Sequence, residues 1–296
     1  MAPDILTDTQ LTAIDDVTSA SQWQAYLRLG FVQNARGTVL KTCDHKGPLY
    51  VQKPFYPEGK DTAHVYLLHP PGGLVSGDEL VIESNQVADT HVLITTPGAG
   101  RVYKARPDRT LQRQTTRLNV PDQAIMEWLP QETILYPDAN TALSNQVLLH
   151  GNARFIGWEI TCFGLPANRL DFGVGQADQT FDIRLDGRLR LRERLIVNQH
   201  SQDMMKAIAG LQGNPVNGLL VAGPFIHIKD DVITTLRQLC ELGDGLSGVT
   251  LVDEFVVVRS LGHDSEQMKR LFSQCWQWLR PALIEKNACA PRIWAT

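Results

Sequence analysis

From Trp23 to about Val197 the chain is written in short β-rich runs, broken every few positions by glycine, proline or aspartate. Runs such as Val65 to Leu68, His91 to Thr96 and Gln146 to Leu149 have strand length and strand composition. A chain punctuated this way cannot form a helical bundle over this span; it has to build sheets. The clearest local unit is a hairpin over Thr180 to Leu195. Asp186-Gly187 supplies a two-residue turn. Phe181, Ile183 and Leu185 alternate with polar residues before it, and Leu189 and Leu191 do so after it. The other face gathers Arg184, Arg188, Arg190, Arg192 and Arg194. Two readings of that face stand at this point: a solvated side of an antiparallel sheet, or a docking face for an acidic partner.

Helical periodicity appears only late. Met268, Leu271, Phe272, Cys275, Trp276 and Leu279 share one stripe, which predicts a core-packed helix over Ser265 to Arg280, with an inert Cys275. Asp264 and Gln267 form a capping pattern at its start, and Pro281 is expected to stop it. A second helix is expected over Asp231 to Leu242, ending near Gly243, and a single buried strand over Thr250 to Val258. The chain ends in Pro291-Arg292-Ile293-Trp294, and Trp294 is expected to pack on the body. No repeat or long linker divides the chain. The expectation is a mainly β protein with a few helices toward the C-terminus: one domain over 23–296, preceded by a loose extension over 1–22.

Composition narrows the functional classes. Of 296 residues, 43% are hydrophobic and 20% charged, enough for a sizeable core. The 28 basic and 32 acidic residues leave a net charge of -4, so no global basic field exists for nucleic acid or an anionic membrane. No apolar run has the length of a membrane span, and MAPDILTDTQ lacks a secretory pattern. Five unclustered cysteines form no disulfide framework, which reads as reduced thiols in a cytoplasm.

The segment HPPGGLVSGD, His69 to Asp78, has glycines at phosphate-loop spacing. Asp78 and Glu79 stand where lysine and a hydroxyl residue belong, and two carboxylates there repel phosphate. No nucleophile elbow or dinucleotide fingerprint replaces it, so no catalytic residue is assigned. Cys43-Asp44-His45 reads as a loop, and His64 and His69, an odd spacing apart on a strand, cannot share a ligand site. What remains is carboxylate: Asp78, Glu127, Glu132 and Glu159 all have apolar or aromatic neighbours. A buried carboxylate needs a cation, a backbone cap, water or a metal. Each therefore reads either as a structural ion pair or as part of a hydrated interior path for a divalent cation. A glycosidase-like acid pair, Glu127 with Glu132, is the enzymatic alternative.

Six segments, in order, resemble the UreD (UreH) family of urease accessory proteins. They are YVQKPFYPEG at 50–59, HPPGGLVSGDEL at 69–80, TTPGAGRVYKA at 95–105, EWLPQETILYPDA at 127–139, ARFIGWEITCFGLPA at 153–167 and ACAPRIWAT at 288–296. The third departs from the usual family pattern in the placement of Arg101 and Lys104 about Tyr103, and the fifth in having Leu165 where the family often has arginine. The resemblance implies a β-helix-like, many-stranded fold and a cytoplasmic, non-enzymatic chaperone of metallocentre assembly. It implies UreF as direct partner, the GTPase UreG recruited through UreF, and apo-urease as the target. It also implies transient passage of Ni2+ through the interior, with no tightly bound cofactor. Asp78, Glu132 and Glu159 are the candidate path residues, at least two of them expected in one water-accessible cavity. Weak, scattered carboxylate sites release nickel more readily than imidazole or thiolate clusters do. A pure assembly scaffold in the same complex is the alternative.

Overall fold

The computed structural model describes residues 24–200 and 202–295. The extension expected over 1–22 lies outside the described residues. In chain order the strands are β1 (Gln24–Asn34), β2 (Gly37–Lys46), β3 (Tyr50–Val51), β4 (Thr62–Leu68), β5 (Glu79–Gln86), β6 (His91–Thr95), β7 (Gly100–Val102), β8 (Gln112–Val120) and β9 (Ile125–Trp128). They continue as β10 (Thr133–Leu135), β11 (Asn140–Leu149), β12 (Arg154–Phe163), β13 (Gln176–Leu185), β14 (Arg188–Val197), β15 (Val216–Gly223), β16 (Leu246–Val252) and β17 (Phe255–Gly262). Helix α1 (Asp230–Leu242) precedes β16, and α2 (Ser265–Ile284) follows β17.

The central part of the chain winds as a coil. Strands β4, β6, β9 and β12 pair in parallel on one side, and β5, β8, β11 and β13 on the other. Each turn contributes one strand to each sheet, so Thr62, His91, Ile125 and Arg154 stand in register from four successive turns. A short third side stacks Leu74, Val102, Leu135 and Phe163, all inward and buried. This is a β-helix-like wall, as the resemblance implied. It leaves no repeat in the sequence because a coil needs only inward and outward alternation at each strand, while its corners vary freely. Gly73 shows where one residue type is required: a Cβ there would lie 2.7 Å from both the Arg101 carbonyl oxygen and the Tyr103 ring.

Antiparallel hairpins finish the coil. β2 folds back on β1, and β14 on β13 through Asp186 and Gly187, both at positive φ, as the turn signal predicted. On the outer face of that hairpin Arg192 pairs with Asp182 and Arg194 with Asp178, while Arg190 reaches Asp253 and Glu254 at the β16–β17 turn of the other sheet. The arginine row is thus largely neutralised within the chain. The second sheet is extended antiparallel by β15, β17 and β16. The single strand expected over Thr250 to Val258 is a hairpin instead: Asp253 turns the chain at positive φ between β16 and β17. A short polar interruption in an apolar run sufficed for the turn.

Two cores result. One fills the coil; the other lies between the second sheet and the two helices. The predicted stripe of α2, from Met268 to Leu279, is buried in the second core, at roughly 1.5–3 kcal/mol for each large side chain. Asp264 caps α2 by accepting from the backbone N–H groups of Glu266 and Gln267. Pro281 does not stop it. The helix runs on to Ile284 and closes with Glu285 in the left-handed region, its N–H bonded to the Pro281 carbonyl. Proline removes one donor from the ladder, and a helix already anchored by tertiary contacts survives that loss. Trp294 packs against Trp158 and Trp276, at centroid distances of 5.5 and 5.8 Å, and donates from Nε1 to Thr95 Oγ1 at 2.9 Å.

Candidate functional site

Strand β12 is shared by the two cores, and its period-two alternation sorts its side chains. Ile156, Trp158, Ile160 and Cys162 join the helix-side core, whereas Phe155 and Phe163 join the coil interior. Glu159, midway between those phenylalanines in the same alternation, is aimed into the coil. Two cavities meet at it. The larger, about 490 Å³, begins among Tyr50, His69, Pro70, Gly72 and Arg101, and reaches inward past Gln114 and Asn145 to Glu159. The smaller, about 170 Å³, leads from Glu159 past Thr161 and Gln179 toward Glu193, Arg194 and Arg259. Glycine-rich loops of successive turns, HPPGG and TPGAG, form the mouth of the larger one.

The interior around Glu159 is polar for a protein core. Gln179 Nε2 donates to Thr161 Oγ1 at 2.7 Å. The Gln179 side-chain carbonyl, in the wall of the smaller cavity, is buried without a partner in the protein, and water in a polar cavity is what satisfies such a group. Burial pushes the Glu159 carboxyl up to about 8, so near neutral pH it is largely protonated. A cation arriving beside it favours the ionised form and displaces the proton. His69, at the mouth, is pushed down by burial, with the Asp78 charge opposing.

The other candidate carboxylates lie elsewhere. Asp78 is buried in a turn, where its Oδ2 accepts from Val75 N–H at 2.9 Å. Glu132 is half-buried, and its charge acts on Lys269 of α2. Of the three, only Glu159 lies in the wall of these two cavities. Glu127 is fully buried on the helix side. It accepts from Trp276 Nε1 at 2.6 Å and from Arg280 at 3.1 Å, and lies 2.7 Å from His91 Nε2. Burial raises its pKa, but the His91 and Arg280 interactions and the Trp276 bond outweigh that and hold it below the usual carboxylate range. Arg280 also grips Glu58, with two contacts of 2.7 Å. Burial alone would raise Glu58 too; its bonds to His64 and Arg280 bring it down to about 2. Among the described residues, no three His, Cys, Asp or Glu side chains converge to hold a metal.

Sequence reasoning missed Glu193 and the Glu58–Arg280–Glu127 cluster. Glu193 had a signal. Extending the inward series Leu189, Leu191 by one step lands on it, but the flanking arginines drew attention to the opposite face. The cluster had none, because its members come from distant parts of the chain.

A coiled β-domain with a polar bore, sealed on one flank by two helices, is the class of structure these features define. The chain belongs to the UreD urease accessory protein family, whose family model matches residues 24–295. It is 63% identical over 284 residues to the urease accessory protein UreD of Marinomonas sp. (strain MWYL1), covering 94% of this chain and 91% of the relative. The UreD of Hahella chejuensis is 40% identical over 293 residues, covering 95% and 93%, and that of Psychromonas ingrahamii 39% over 293, covering 93% and 95%. Its role is in urease maturation. Among the described residues no helix is long and apolar enough to cross a membrane.

Proposed function

We propose that the chain is a scaffold and nickel conduit in the cytoplasm: bound to UreF, which brings the GTPase UreG, it passes Ni2+ through the coil interior to apo-urease. The observation that carries this reading is Glu159, one carboxylate in the walls of two cavities whose other lining residues differ. Ni2+ is cargo here. A single oxygen donor, protonated at rest, binds a divalent ion only transiently and regains its proton when the ion leaves. Backbone carbonyls and the amides of Gln114, Asn145 and Gln179 offer further weak oxygen ligands. Directionality would come from GTP hydrolysis by UreG, consistent with the carboxylates Asp78 and Glu79 at the glycine-rich loop of this chain.

The test is urease activation at limiting nickel with Glu159→Gln and Glu159→Leu, scored beside capture of UreF. Both variants should bind UreF as the parent does. Glu159→Gln should slow activation, and Glu159→Leu should slow it further because it removes volume as well as charge. Normal activation by assembly-competent variants would replace the conduit with a pure scaffold.

A further inference from the structure

Glu159 is not the only carboxylate in the smaller cavity. Glu193 of β14 stands in the same wall, contributed by the opposite sheet. It is not free. Arg259 of β17 reaches across to it, with Nη2 2.5 Å from Oε1 and Nε 3.3 Å from Oε2. The third arm of the guanidinium, Nη1, donates to Thr250 Oγ1 on β16 at 2.8 Å. The cation is thus held behind by a neutral hydroxyl on its own sheet and in front by a carboxylate on the other. The two side chains are 43% and 31% exposed, a setting in which an ion pair exchanges at small cost. Arg194, which also borders this cavity, turns its guanidinium to the outer face, where Asp178 engages it in two contacts of 2.8 and 3.1 Å.

We propose that Arg259 and Glu193 form a cation-exchange latch at this end of the bore. In the closed state Arg259 joins the two sheets and presents positive charge to anything leaving Glu159. An arriving divalent cation takes the Glu193 carboxylate, and the displaced guanidinium remains tethered to Thr250. No covalent bond changes; one cation replaces another on one carboxylate. Such a latch selects by charge, because a monovalent ion competes poorly with a two-pronged guanidinium whereas a divalent ion with oxygen ligands competes well. Arg259 is a positioning and specificity residue, not a nickel ligand. The inference rests on the conduit reading and adds its gate.

The test uses the purified full chain and the assembled accessory complex, with Ni2+ as probe in excess Na+ and with Mg2+ as competitor. Arg259→Gln removes the competing charge and retains hydrogen-bonding capacity toward Thr250. On the chain alone it should tighten Ni2+ binding by up to about 5-fold, the scale of one exposed ion pair, and make that binding more sensitive to Na+, which the guanidinium no longer keeps off Glu193. Arg259→Lys should fall between it and the parent, and Glu193→Gln should weaken binding. Melting curves of each variant exclude misfolding as the cause. Unchanged Ni2+ affinity in a folded Arg259→Gln, while Glu159→Leu still blocks urease activation, would overturn the latch and leave the conduit standing. Normal activation by Glu159→Leu would overturn the conduit itself, whatever the Arg259 variants bind.

Discussion

Glu127 is fully buried and Glu159 is half-buried in a cavity wall; they stand on hydrogen-bonded neighbouring strands of one sheet and face opposite ways. On the helix side Glu127 meets His91, Trp276 and Arg280, and Arg280 goes on to Glu58 and the carbonyl of Asn287. Lys286 extends the cluster through Thr62, which lies 3.1 Å from His91 Nδ1. On the coil side burial lifts the Glu159 carboxyl with nothing strong enough to bring it back. One carboxylate is compensated by its surroundings and ties loop 52–61, α2 and the sheet together. The other has no such cation or donor to hold its charge, and burial raises its pKa.

Removing Arg280 should break this comparison most sharply. Arg280→Leu strands Glu58 and Glu127 as buried charges and should cost about 3–5 kcal/mol in denaturant unfolding. Glu159→Leu, on the other face of the same sheet, should leave stability unchanged or raise it, since it removes a group with no partner. Equal losses from the two variants would show that Glu159 is structurally compensated after all.

The pH dependence should separate the two faces next. Glu159 has a folded pKa of about 8, above its ordinary 4.5. Between those values the folded chain keeps a proton that the unfolded chain has released, so stability falls as pH rises through this window. Glu58, at about 2, works the other way: its contribution is present above pH 4.5 and is lost as pH falls toward 2. Glu159→Gln should therefore remove the fall in stability between pH 4.5 and 8, and Glu58→Gln the loss below pH 4.5. Smaller effects sharpen the contrast between buried and surface chemistry. Asp264→Ala removes the α2 cap and should lower stability by about 1 kcal/mol. Arg192→Ala breaks an ion pair on the exposed hairpin face and should change stability by about 0.2–1 kcal/mol, less in high salt.

Much of the architecture was legible because it is local. The Asp186-Gly187 turn, the α2 stripe and the run of short strands each follow from a few adjacent residues. The pairing of the coil was not, because period-two alternation says which way Glu159 points relative to Trp158 but not which strand lies beside it. Pro281 and Asp253 misled for a shared reason: a local rule was set against tertiary packing and turn chemistry that no single window displays. In the site, aromatic flanks gave Glu132 and Glu159 the same mark, and both are half-buried, one facing α2 and the other the cavities; the glycine-rich loop turned Asp78 inward as read, but into a turn of its own. Arg280 and Glu58, brought together across most of the chain, carry no local mark at all.

The alternation in β12 also sets a parity rule for insertions and deletions. At the corners of the coil, added residues lengthen a loop, and the entropic cost of a longer loop grows slowly. Within β12, deleting one residue inverts every side chain beyond it, sending Trp158 or Ile160 into the bore and Glu159 into the apolar layer beneath the helices. Deleting two restores the faces and shifts only the stacking. Lineages of this fold should therefore vary in length at the corners of the coil while β12 keeps its count.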